Sequence, residues 1–115
     1  MHFKLIIAMV QDDQTEAVLD ITREAGATGA TIINNVRGEG LKSKKSFFGL
    51  SIDAQRDLIL FVVEEHLSRT VIESIETILV QGEKTVGIAL QIDVDDLIGA
   101  ARQINKLTKI VEEEI

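Results

Sequence analysis

Apolar positions change their spacing several times along the chain, and each change marks an element. Phe3 to Val10 is a short apolar run closed by Gln11-Asp12-Asp13, of a length that predicts a strand buried on both faces. Ala17, Val18, Ile21 and Ala25 then recur every three or four residues, which predicts a helix capped by Asp12 or Asp13 and ended at Gly26. Thr28 to Arg37 is rich in β-branched residues and predicts a second strand, broken by Gly38-Glu39-Gly40. Asp57 to Glu64 supplies a third. Val71, Ile72, Ile75, Ile78 and Leu79 share one face of a second helix, capped by Ser68 and stopped at Gly82. Thr85 to Val94 returns to strand character, and Leu97, Ala101, Ile104, Leu107 and Val111 define a final amphipathic helix.

The order is βαββαβα, two matching strand-helix-strand halves without residue-by-residue identity. Both connecting helices then lie on one face of a single sheet, the ferredoxin-like α+β arrangement with one additional C-terminal helix. Strands apolar on both sides leave the other face in need of cover, which predicts a homo-oligomer. From Leu41 to Gln55 no helical stripe holds. Three lysines, three serines and the apolar knot Phe47-Phe48-Gly49-Leu50 gather there, and the stretch reads as an exposed loop.

Composition narrows the classes. At 115 residues, positions 1–115 make one ordinary domain. Without Cys there is no disulfide framework, thiolate metal site or cysteine nucleophile, and the cytoplasm is the expected compartment. The longest apolar run, Leu58 to Val63, falls far below the roughly 20 residues of a membrane-spanning helix, and no small-residue cleavage site follows Leu5 to Val10. Neither export nor insertion is expected. A formal charge of −7 argues against sequence-independent nucleic-acid binding. Yet Arg37, Lys42, Lys44, Lys45 and Arg56 bunch together, whereas Glu112-Glu113-Glu114 stand near the C-terminal end. An anionic ligand or an acidic partner would find its complement in the basic segment.

Candidate chemistry is sparse. His2 and His66 lack metal-ligand spacing, so no metal is expected, and Glu64-Glu65-His66 reads as a solvated strand end. No nucleophile elbow surrounds any serine, and the acidic pairs Asp12-Asp13 and Asp95-Asp96 suit capping better than paired catalysis. The reading is of a protein that is not an enzyme. Two stretches differ: Arg37-Gly38-Glu39-Gly40 and Gly82-Glu83-Lys84-Thr85-Val86-Gly87. Each sets glycines beside a cation at the end of an element, where backbone N–H groups can meet an anion.

These two stretches, with the opening Lys4-Leu5-Ile6-Ile7-Ala8, the helix end Glu24-Ala25-Gly26 and the strand Leu58 to Glu64, resemble the PII signal-transduction proteins over almost the whole chain. The resemblance implies a trimer that senses adenine nucleotides in intersubunit clefts and docks on a membrane transporter or a metabolic enzyme. It implies a T-loop at about 41–55, shorter than usual, and a B-loop at about 82–87. The nucleotide (ATP, ADP or AMP) would be lined by Gly38, Gly40, Lys42, Gly82, Lys84 and Gly87, with Thr31 of Gly29-Ala30-Thr31 toward the adenine and Arg56 and Arg102 supplying charge. Lys44, Lys45, Phe47 and Phe48 would meet the partner.

The chain departs from the family where Ile88 replaces the lysine after the last B-loop glycine, and where Arg102 alone remains of a basic pair. With no Tyr anywhere, tyrosine modification is excluded; Ser43 and Ser46 are the hydroxyls of the loop. Two rivals stand beside this reading. One is an acylphosphatase-like phosphoryl hydrolase using Arg37 with Asn34 or Asn35; the other is a ligand-free structural trimer.

Overall fold

In a computed structural model the described residues are 2–39, Leu41, 46–47, 50–51 and 55–99. The elements are β1 (Phe3–Gln11), α1 (Thr15–Glu24), β2 (Thr31–Val36), β3 (Ser46–Phe47), β4 (Leu50–Ser51), β5 (Arg56–Glu64), α2 (Glu65–Leu79), β6 (Val80–Gln81), β7 (Lys84–Thr85) and β8 (Gly87–Val94). The main sheet runs β2-β5-β1-β8 and is antiparallel throughout, the strand order of a ferredoxin-like fold. The predicted final helix lies outside the described residues from position 100 onward.

Period-two alternation decides what each strand buries. Ile6, Ala8 and Val10 of β1 and Ile59, Phe61 and Val63 of β5 form one buried cluster with Val18 of α1 and Val71, Ile75 and Leu79 of α2. The opposite face carries Leu5, Ile7 and Met9, half-buried, beside Leu58, Leu60 and Val62 of β5 and Ile88, Leu90 and Ile92 of β8. β1 is therefore sealed on one face only, which corrects the expectation of burial on both: no described element covers the second face.

Three helix boundaries also differ from expectation. Asp12 and Asp13 do not cap α1; they open a short 3-10 turn, Asp12–Gln14, and α1 starts at Thr15 with no side-chain cap. Its buried stripe is Thr15, Val18 and Thr22, while Ala17 is exposed, so the stripe is rotated toward the hydroxyls. α2 begins at Glu65, and its cap is the Glu64 carboxylate accepting from the His66 N–H at 2.8 Å; Ser68 sits a turn inside and donates to the Glu65 carbonyl at 2.8 Å. α2 ends at Leu79, ahead of Gly82, because Val80–Gln81 turns back as a strand against Lys84–Thr85. Within the expected loop, β3 and β4 pair as Ser46↔Ser51 and Phe47↔Leu50.

Candidate functional site

The two glycine-bearing stretches meet the same end of the sheet. Arg56 opens β5 and pairs with Gln11 of β1 on one side and Val36 of β2 on the other, so the strand running into Arg37-Gly38-Glu39 ends beside it. At that end too, Val10 pairs with Gly87, immediately after the β6–β7 hairpin. The fold thus places Gly38, Arg56, Gly82, Lys84 and Gly87 at one end of the sheet, Gly38 following β2 at one edge and the hairpin preceding β8 at the other. Thr31 stands at the other end of β2, opposite Leu60, and with Leu5, Gly29, Ala30, Leu60 and Val62 lines a cavity of about 380 Å³ on the open face. Gly40, Lys42, Lys44, Lys45, Phe48 and Arg102 lie outside the described residues, and Phe47 is placed only by its backbone in β3.

The two hairpin glycines have different reasons for being glycine. Gly82 takes φ +66° at the first central position of the two-residue turn between β6 and β7, a conformation L residues resist, and a Cβ there would meet nothing. Gly87 is buried. A Cβ on it would fall 2.5 Å from the Met9 carbonyl oxygen and 2.7 Å from a Leu79 methyl, so close approach of β8 to β1 and α2 explains it by packing alone. Val86 N–H donates to the Leu79 carbonyl at 2.8 Å and closes the base of the hairpin.

The cations at this end of the sheet sit in distinct settings. Arg56 is 1% exposed, Lys84 is exposed, and exposed Arg37 stands 3.9 Å from the Glu39 carboxylate. On the N-terminal side the second strand is irregular: its register shifts between Ile33 and Val36, and Asn35 takes φ +61°, which a short amide side chain tolerates. On the C-terminal side the chain is fastened. The Asp12 N–H donates to the Gln55 carbonyl at 3.1 Å, and the Thr15 hydroxyl donates to the buried Asp57 carboxylate at 2.7 Å. Sequence reasoning passed over this clamp. Its signal was a carboxylate at position 57, in step with the inward-facing Ile59, Phe61 and Val63, where an unpartnered charge would be costly.

Glu64 is another residue underrated from sequence. Read as part of a solvated strand end, it is 8% exposed, caps α2 and also pairs with the His66 ring. Among the described residues no group of three or more His, Cys, Asp or Glu is arranged to hold a metal ion, and no helix is long and apolar enough to cross a membrane.

Comparison with characterised protein sequences finds no match. Solved structures do match in fold. CPII, a nitrogen regulatory PII-like protein from Thiomonas intermedia K12, aligns in its apo form at 21% identity with a TM-score of 0.65, covering 82% of this chain and 90% of that one. The same protein bound to ADP, AMP and acetate aligns at 22% identity with a TM-score of 0.62, covering 83% and 90%. A PII-like signaling protein from Thermus thermophilus aligns at 19% identity with a TM-score of 0.59, covering 82% and 88%. The model of the family described as nitrogen regulatory protein P-II matches residues 3–103. The resemblance in the glycine-bearing stretches, the ferredoxin-like sheet and this match together make the chain a member of the nitrogen regulatory protein P-II family.

Proposed function

We propose that this P-II family member is a non-enzymatic cytoplasmic regulator, assembled as a homotrimer, that binds an adenine nucleotide between subunits and signals through residues 41–55. The observation that carries the reading is the convergence of Gly38, Arg56 and the Gly82–Lys84 turn on one end of a sheet whose open face is aliphatic. That face would be buried between subunits, bringing the sheet end of one beside the hairpin of another. Backbone N–H groups near Gly38 and Gly82 would hold phosphate oxygens, with Lys84 and Arg56 supplying charge and Thr31 toward the base. Gly40, Lys42 and Arg102 belong to the same proposed site, and Gly87 sets its hairpin in place. The ADP and AMP bound by Thiomonas CPII support the ligand class.

Output would pass through Lys44, Lys45, Phe47 and Phe48 to a transporter or metabolic enzyme, since basic and aromatic groups suit an acidic, partly apolar contact. The acylphosphatase-like alternative has less support: Asn34 and Asn35 are exposed at the irregular end of β2, and Arg37 stands by Glu39. Titration calorimetry with AMP, ADP and ATP, alongside mass measurement in solution, tests the reading. Saturable binding by a trimer is the expected result; heat from none of the three nucleotides would overturn it.

A further inference from the structure

β2 changes register once, near its end. Thr31↔Leu60, Ile32↔Ile59 and Ile33↔Leu58 form a regular ladder and Val36↔Arg56 resumes it, but between these pairs β2 has two residues, Asn34 and Asn35, where β5 has only Asp57. This is a β-bulge of one extra residue, and Asn35 takes φ +61° within it. A short amide side chain tolerates that angle; a β-branched one resists it. Since β2 is an edge strand, the extra residue disturbs only the ladder with β5.

One extra residue reverses the side that every later residue faces. In an unbroken strand Thr31, Ile33 and Asn35 would share the open face, and Val36 would turn toward the helices. The observed register instead seats Val36 opposite Arg56, in the row that Gln11 of β1 completes. Gln11 and Arg56 alternate in step with Met9 and Leu58 of the open face, whereas Asp57, between Arg56 and Leu58, turns to Thr15 of α1. Val36 therefore belongs to the open face. It is half-buried there, next in line after Ile33, which is 44% exposed.

We propose that Asn35 sets the register of the subunit contact: its bulge puts the Val36 side chain, in place of its own amide, at the end of the aliphatic face on which a second copy of this chain closes. The inference rests on the reading of the open face as the surface between subunits and adds the residue pair that completes it. Asn35 acts here through its backbone angle. Val36 makes the contact.

The test is sedimentation of the full chain over a range of concentrations, with melting temperature as the check on folding, in wild type, Val36→Asn, the exchanged pair Asn35→Val with Val36→Asn, and Asn35→Gly. Val36→Asn keeps the bulge and puts an amide on the contact, so half-assembly should need about tenfold more protein, the size of one partly buried valine. In the exchanged pair the new valine resists a positive φ, and a strand without the bulge seats it opposite Arg56. Assembly should then return to within about twofold of wild type. Asn35→Gly, which accepts +61° freely, should assemble as wild type does. Unchanged assembly in Val36→Asn, an exchanged pair no better than Val36→Asn alone, or an Asn35→Gly as weak as Val36→Asn would each overturn the inference while leaving the trimer intact. A wild type that stays monomeric would instead bring down the trimer reading, and this inference with it.

Discussion

Beneath α1 and α2, the sheet presents Ile6, Ala8, Ile59 and Phe61, each at most 1% exposed; on its other side Leu5, Ile7, Leu60, Val62, Leu90 and Ile92 repeat the same aliphatic chemistry. There Val62, Leu90 and Ile92 remain 37%, 43% and 49% exposed. Residue type does not separate the two faces. What separates them is whether the chain's own helices reach them, and a subunit with two helices on one side has none described for the other. The first face is thus a core within one subunit, and the second is the surface on which the proposed trimer would close.

That contrast can be broken at several points. Phe61→Ala should be the most damaging change, costing about 3–5 kcal/mol by opening a cavity under both helices. Urea unfolding measures it, and a loss below about 1 kcal/mol would mean the helix-covered face is not the core. Gly87→Val should cost about 1–3 kcal/mol, because its Cβ must displace the Met9 carbonyl. The exposed Gly82 allows a sharper comparison, since there only the +66° backbone angle, not a clash, resists substitution. Gly82→Ala should therefore destabilise less than Gly87→Ala, and the reverse order would contradict the packing account.

Thr15→Val should cost about 1–2 kcal/mol by leaving the buried Asp57 carboxylate without its hydroxyl donor. Thr15→Ser should recover most of it in the same unfolding assay. On the open face, Leu90→Asp should change the subunit's own stability by only about 0.5 kcal/mol, the range of an exposed position. Its effect should appear in assembly, as a shift toward monomer in sedimentation at micromolar concentration. A trimer that survives this change would show that the open face is not the contact.

The smallest effect belongs to the exposed Lys4–Asp93 pair, which links β1 to β8 on the helix side of the sheet. Their hydrogen bond, reinforced by opposite charge, raises the Lys4 pKa above 10.5 and lowers that of Asp93 below 3.8. The Asp93 contribution is complete above its unfolded value and fades as pH falls through the lowered folded one. That of Lys4 is complete below 10.5 and fades as pH rises through the raised one. Melting temperatures of wild type and Asp93→Asn should differ slightly near neutral pH and converge in strong acid and strong base. A gap that widened in acid would contradict the pairing.

The order of strands and helices was legible because apolar spacing reports the period of each element directly, and glycines at 26 and 82 announced real breaks, at φ +109° and +66°. The two glycine-bearing stretches were legible for the same reason: local backbone demands leave local traces. Other features depend on neighbours distant in sequence. Position 57 reads as a stray carboxylate until Thr15, far away in the sequence, arrives opposite it. Gly87 looks like a loop glycine until β8 is drawn against Met9. A sequence written in periods specifies which elements form and which side of each is apolar. Packing alone chooses which apolar side is sealed, which polar group finds a partner and which glycine is there for space, because those depend on contacts between residues that only the folded chain brings together.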